Sequence, residues 1–290
     1  MSCSKPSVCD QRHDDMRLDA YVAEQWPEQS RSTWKKLIEA GNVSVNGTIE
    51  TSVKYNVRED DRIAVETPTV PDHSHETLPV IYEDENVIVI DKPVGVLTHS
   101  KGALNDEFTV AEFVRGKTSY KQDTNRPGII HRLDRATSGV ILCVKNETTA
   151  SYLARQFSDR TTKKRYAAVV SGMPKQEEAV IDLPIGRNPK SPSTFKVDAS
   201  GKHAETYYKV LASSGLHSLV ELSPKTGRTH QLRVHMSHIG TPIVGDPVYG
   251  TESSDRMYLH AHSLEITLPG GDRQTFVSRL PDEFETKAKV

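Results

Sequence analysis

His131-Arg132-Leu133-Asp134-Arg135-Ala136-Thr137-Ser138-Gly139 lies between two apolar runs, Ile129-Ile130 and Val140-Ile141-Leu142-Cys143-Val144. Both runs are rich in β-branched residues and are expected as buried strands. A polar loop between such strands is where a rigid scaffold presents functional groups. Asp134 is its one carboxylate, with Arg132 and Arg135 on either side. A neighbouring guanidinium favours the ionised carboxylate, so Asp134 is expected charged at neutral pH, as a nucleophile or base rather than an acid. A turn with a surface ion network would share this spacing.

The rest of the chain narrows the classes. Its 290 residues allow one or two domains, and 36% hydrophobic with 26% charged residues fits a folded protein with a polar surface. No apolar run approaches the roughly 18–20 residues of a membrane helix. Residues 1–14 lack an apolar core; we expect a disordered tail rather than a secretory signal. Cys3, Cys9 and Cys143 form no CxxC pair, the usage of a reducing, cytoplasmic compartment. The net charge is −2, but it is unevenly spread: Ala111 to Lys175 holds 13 Lys/Arg against 5 Asp/Glu, and Pro71 to Val110 holds 2 against 8. A basic field around the Asp134 loop suits a polyanionic ligand.

Residues 15–66 read as a small unit. Leu18, Val22 and Trp26 share a helical face. Ser32 or Thr33 is expected to cap a second helix that buries Trp34, Leu37 and Ile38 and stops at Gly41. Val43 and Val45 alternate with Ser44, Asn46-Gly47 marks a hairpin, and Val53, Val57, Ile63 and Val65 continue the extended pattern. The stretch Ser30 to Gly47 resembles the S4 RNA-binding domain, which implies that Arg31, Lys35 and Lys36 face structured RNA; a solvated charged helix face is the plainer reading. Residues 67–77, rich in Pro and polar residues, are expected as a linker, followed by a second domain over 78–290.

In that second domain Val80-Ile81-Tyr82 and Val87-Ile88-Val89-Ile90 read as strands, Thr109 to Val114 as a short helix, and Glu147 to Ser158 as a helix. Lys92, just past a strand, is placed either to meet a phosphate or to lie on the surface. Asp159 to Tyr166 ends in Lys163-Lys164-Arg165-Tyr166, cations beside a ring; that combination suits a splayed nucleotide, and equally an ordinary basic loop with a strand tyrosine. Thr206 to Leu211 and Leu216 to Leu222 read as an antiparallel pair, and Leu259 to Leu268 as an alternating strand. A helix beginning near Thr229 would carry Arg233 and place Gly227-Arg228 at its head, where phosphate binds readily. His230, His235 and His238 lack the carboxylate or Cys and the spacing of a zinc site, so no metal is expected.

Several separated blocks now agree. The Asp134 loop resembles the signature loop of the RluA-type pseudouridine synthases. Asp91-Lys92-Pro93-Val94-Gly95, Lys164-Arg165-Tyr166, Gly227 to His235 and Gly245-Asp246-Pro247-Val248-Tyr249-Gly250 resemble that family's other blocks, in its order, over Leu78 to Phe284. The appended S4-like unit is similar to the RluC/RluD branch. Arg135-Ala136 departs from the family's usual lysine and acidic residue. The resemblance implies an α+β fold with a mixed, largely antiparallel sheet. It also implies isomerisation of uridine to pseudouridine without cofactor or metal, most simply in large-subunit (23S-type) ribosomal RNA. Asp134 matches the catalytic aspartate, Tyr166 the tyrosine that stacks on the target base, Arg233 the arginine paired with the aspartate, and Arg132 the residue that fills the gap left by the flipped nucleotide. His131, Arg228, Lys92 and Lys164 complete the expected substrate-binding set, and a monomer is the default. The rival readings are a synthase acting on tRNA, a non-catalytic RNA-binding or ribosome-assembly factor, and hydrolytic base release.

Overall fold

The structure is a computed structural model that describes residues 6–66, 71, 73, 75–100 and 107–289. The chain forms two compact units, one within Met1–His73 and one from Ser74–His99 with Phe108–Val290. Of the stretch expected as a linker, residues 67–70, 72 and 74 lie outside the described residues.

The first unit contains β1 (Ser7–Val8), α1 (Leu18–Gln25), α2 (Arg31–Glu39), β2 (Val43–Val45), β3 (Thr48–Ile49) and β4 (Arg62–Val65), with sheet order β1-β4-β2-β3. Trp34, Leu37 and Ile38 of α2 pack on Leu18, Tyr21 and Val22 of α1, because spacings of three and four residues put them on one face. The cap of α2 is Ser30, not Ser32 or Thr33: Ser30 is extended, and its Oγ accepts from the Thr33 N–H at 3.2 Å. Asn46 and Gly47 both take positive φ, 53° and 82°, as a two-residue hairpin turn requires. Val53 and Val57 lie outside any strand.

The expectation of a disordered segment over residues 1–14 is corrected for its described part. Ser7 and Val8 pair with Ile63 and Arg62 of β4, Cys9 is buried, and Asp10 caps a short 3-10 turn, Gln11–His13. The edge of β4 offers backbone groups that any short extended segment can satisfy. Hydropathy does not advertise such a pairing.

The second unit begins with β5 (Val80–Glu83), β6 (Val87–Lys92), α3 (Val110–Arg115), β7 (Ser138–Val144), α4 (Glu147–Ser158), β8 (Lys163–Ser171) and β9 (Glu178–Asp182). It continues with β10 (Ile185–Arg187), β11 (Phe195–Val197), β12 (Glu205–Ser213), β13 (His217–Pro224), α5 (Gln231–His238), β14 (Leu259–Thr267), β15 (Arg273–Val277) and α6 (Asp282–Lys289). Nine strands form one sheet in the order β5-β6-β7-β14-β8-β13-β12-β9, with β15 beside β14; β10 and β11 form a separate hairpin. Each named pairing in the sheet is antiparallel except β7 with β14. The fold is therefore α+β with a mixed, largely antiparallel sheet.

All seven residues of β7 are buried, as its unbroken apolar run requires. Its parallel partner joins directly after the Asp134 loop, His260 opposite Ser138 and Ala261 opposite Gly139. Gly139 has φ 106°, and a Cβ there would meet the Ala261 carbonyl. Only glycine permits this approach, so it fixes where the loop ends. Ile129-Ile130 is not a strand. Gly128 turns the chain at φ 69°, and Ile129 makes a single bridge to Cys143.

Candidate active site

The Asp134 loop is held from below by the turn that follows β6. Thr98 Oγ1 donates to the Leu133 carbonyl at 2.7 Å and accepts from the Leu133 N–H at 3.2 Å. The Gly95 N–H donates to the Arg135 carbonyl at 2.9 Å. Lys92 is fully buried and donates to the carbonyls of Pro93 (2.8 Å), Val96 (2.9 Å) and Arg135 (3.3 Å). The expectation that Lys92 binds substrate is thus corrected. Its four-carbon stem runs inward from the end of β6, and its ammonium ties the loop to the scaffold. Burial pushes its pKa down to about 7, against the pull of the Asp134 carboxylate.

His131 also takes another task. Its Nε2 accepts from the Leu142 N–H at 3.0 Å, and its ring stacks on Phe157 at 4.8 Å. It stands in for a neighbouring strand where β14 no longer covers β7, and burial keeps it neutral, with a pKa down to about 3.

Above the loop, α5 and the segment after it supply the counter-charge. Arg233 is 5% exposed. Its Nε and Nη2 each donate to Asp246 at 2.7 Å, and its Nη1 donates to Asp134 Oδ2 at 3.0 Å. Asp246 Oδ1 also accepts from the N–H groups of Val248 and Tyr249. Burial alone would push the Asp246 carboxyl up, but Arg233 and these N–H groups hold it below the usual range. The Tyr249 ring lies under the guanidinium, 5.1 Å from its centre.

Asp134, Tyr166 and Arg233 converge on one cavity of about 150 Å³, also lined by Arg132, Lys164, Arg228 and His230. Tyr166, on β8, makes no hydrogen bond through its hydroxyl; burial, reinforced by Asp134, raises its pKa and keeps it neutral. A second cavity of about 470 Å³ shares Arg132, Lys164, Tyr166 and Arg228, and adds Arg160, Lys225 and Phe157. Arg132 is exposed. Lys164 is half-buried, has no carboxylate partner among the described residues, and is pushed to lower pKa by burial. Arg228 donates from Nε to the His203 carbonyl at 2.9 Å. Five cations line this second cavity without a carboxylate among its lining residues, a setting that favours phosphate.

Arg31, Lys35 and Lys36 are all exposed on α2. Arg31 reaches Asp19 at 3.0 Å, Lys35 lies 3.9 Å from Glu39, and Lys36 has no ion pair among the described residues. Among the described residues one trio, Asp182, His203 and Glu205, brings metal-binding atoms together; none of it lines the cavity of Asp134. Of the histidines weighed for zinc, His230 bonds Tyr249, while His235 bonds Thr206 and the Leu183 carbonyl. Asp246, Tyr249 and His230 are site residues that spacing did not single out. The block Gly245 to Gly250 held the signal for the first two, but a loop motif does not say which helix it faces.

The site is a carboxylate pinned by a buried arginine, beside an aromatic wall and a cleft lined by cations. Comparison with known proteins gives the family. Residues 86–238 match the family described as RNA pseudouridylate synthase, and residues 16–63 match the S4 domain. The chain is 36% identical to ribosomal large subunit pseudouridine synthase D of Borreliella burgdorferi, over 94% of this chain and 89% of that one. It is 37% identical to the protein of the same name from Nitrosomonas europaea, over 93% and 82%. Human RNA pseudouridylate synthase domain containing 1 superimposes with a TM-score of 0.59 at 28% identity, covering 74% of this chain and 86% of that one. The chain belongs to the RNA pseudouridylate synthase family.

Proposed function

We propose that this protein converts uridine to pseudouridine in large-subunit ribosomal RNA, with Asp134 as the reacting carboxylate. The observation that carries the reading is the single contact between Arg233 Nη1 and Asp134 Oδ2 at the floor of a cavity walled by Tyr166. The reaction breaks the N1–C1′ bond and forms a C5–C1′ bond; the C5 proton leaves and N1 gains one. No net charge or atom is exchanged, so the site has to hold one free base while it turns. The target uridine must first leave its stack, at a cost on the order of a few kcal/mol. Stacking on Tyr166 and phosphate contacts to Lys164 and Arg228 offset that cost. Arg132, exposed at the mouth, fills the space left behind. Arg31, Lys35 and Lys36 of the S4-like unit add a second, weaker grip on RNA. The enzyme works as a cytoplasmic monomer and needs neither metal nor cofactor. Relatives named for the large ribosomal subunit support the choice of RNA.

The test is a pseudouridine map of total RNA from cells with and without the gene. Loss of one or a few large-subunit sites is the expected result. Loss confined to tRNA would move the substrate, and an unchanged map would end the reading.

A further inference from the structure

The molecule places a second group against the same oxygen of Asp134 that Arg233 holds. His230 Nε2 lies 3.7 Å from Asp134 Oδ2. Among the described residues, the hydrogen bond and ion pairs of the Asp134 side chain fall on Oδ2 and none on Oδ1. His230 caps α5 from the left-handed region, at φ 56°, a conformation that a non-glycine residue adopts at some cost and that clusters at functional sites.

The ring's protonation can be read from its other nitrogen. Tyr249 Oη accepts from the Phe195 N–H at 2.8 Å, and its remaining contact is His230 Nδ1 at 2.9 Å. One lone pair of Oη is already taken by the Phe195 N–H, and we take the remaining contact with Tyr249 as donor and Nδ1 as acceptor. A neutral imidazole then carries its proton on Nε2, the nitrogen that faces Asp134. Phe195 and Tyr249 also meet the ring edge-on, both with centroids 5.6 Å away, which limits its rotation. Burial disfavours the imidazolium; Asp134 and Asp246 pull the other way, and Arg233 and Arg132 oppose them.

We propose that His230 is a positioning residue for Asp134: fixed by Tyr249 as the Nε2–H tautomer, it steers Oδ2 together with Arg233 and leaves Oδ1 to the uridine. A neutral N–H orients the carboxylate without adding a second positive charge, which would blunt its reactivity. The chain Phe195 N–H, Tyr249 Oη, His230, Asp134 also ties the β10–β11 hairpin to the reacting group. The proposal rests on Asp134 being that group.

Two measurements test it on the full chain. Nitrogen-15 imidazole NMR at neutral pH, with His230 assigned by its absence in His230→Gln, should report the Nε2–H tautomer in the wild type and a tautomer mixture in Tyr249→Phe. An Nδ1–H or doubly protonated ring in the wild type overturns the proposal, whatever the protein's substrate proves to be. In turnover of unmodified large-subunit ribosomal RNA, His230→Ala should lower kcat about 3- to 10-fold, less than a full hydrogen bond to a charged group because 3.7 Å is longer than one, with KM nearly unchanged. His230→Gln, which returns an N–H at similar reach, should recover most of it. Wild-type kcat in His230→Ala, a Gln variant no better than Ala, or an effect on KM alone overturns the proposal while leaving the proposed function standing.

Discussion

Arg233 gives Asp134 only one of its three nitrogens, Nη1 at 3.0 Å. The other two close on Asp246. The guanidinium is therefore held by its structural partner and offers a single directed N–H to the reacting carboxylate. A side chain bound at both ends cannot follow the substrate, and that is what a preorganised site requires.

Removing Asp246 should accordingly cost both fold and chemistry. Asp246→Ala leaves Arg233 buried with one partner, a defect worth about 3–5 kcal/mol, visible as a large drop in Tm and a loss of turnover. Asp246→Asn keeps shape but not charge. The native Asp246 pKa lies below its ordinary value, so its stabilisation is present above about pH 4 and is lost as pH falls through the depressed value. The stability gap between wild type and Asp246→Asn, followed by circular dichroism, should be constant from pH 7 to 5 and shrink below 4. A gap that widens in acid would contradict the pairing.

Lys92 has the opposite sign. Burial lowers its pKa to about 7, so between roughly pH 7 and 10.4 the unfolded chain holds a proton that the fold has released. Wild-type stability relative to Lys92→Met should rise with pH through that window. Turnover by Lys92→Met should fall, because the Arg135 carbonyl loses a tie. Denaturant titrations at pH 7, 8 and 9 check the first statement. A gap that does not change with pH would mean that the ammonium stays charged inside the fold.

Tyr166 acts here as a flat neutral wall. Its hydroxyl is unbonded, and burial opposes its ionisation. Tyr166→Phe should retain turnover within a few-fold of wild type. Tyr166→Leu should lose base stacking worth about 1–3 kcal/mol, a fall in kcat/KM of roughly 5- to 150-fold. A Phe variant as poor as Leu would show that the hydroxyl takes part in the chemistry.

Gly139→Ala should fail to fold or lose cooperativity on heating. Its Cβ would meet the Ala261 carbonyl at a φ that L side chains avoid. A wild-type melting curve would contradict the close β7–β14 approach.

Much of this was legible in the sequence, for physical reasons. The runs of β6 and β7, the stripe Trp34, Leu37, Ile38 and the helix of Glu147–Ser158 announce themselves by period. Asp134, Tyr166 and Arg233 meet in one cavity as the resemblance implied. Position in the chain did not reveal direction. Lys92 at a strand end is expected to meet substrate phosphate or lie on the surface, yet its stem turns inward to three carbonyls. His131 sat in the signature loop, yet its ring serves β7. Ile129-Ile130 had strand composition, but a glycine at positive φ turns the chain just before it. Ser7–Val8 gains its order from β4, some 55 residues on. His230 meets Tyr249, and Arg233 meets Asp246, between a helix and a loop, contacts that helical and strand periodicities do not encode.

The most direct measurement compares purified wild type and Asp134→Asn on unmodified large-subunit ribosomal RNA, scoring pseudouridine and RNA binding side by side. The wild type should form pseudouridine at defined positions, and Asp134→Asn should form none while binding the RNA with similar affinity. Pseudouridine made by Asp134→Asn at the wild-type rate would contradict the account.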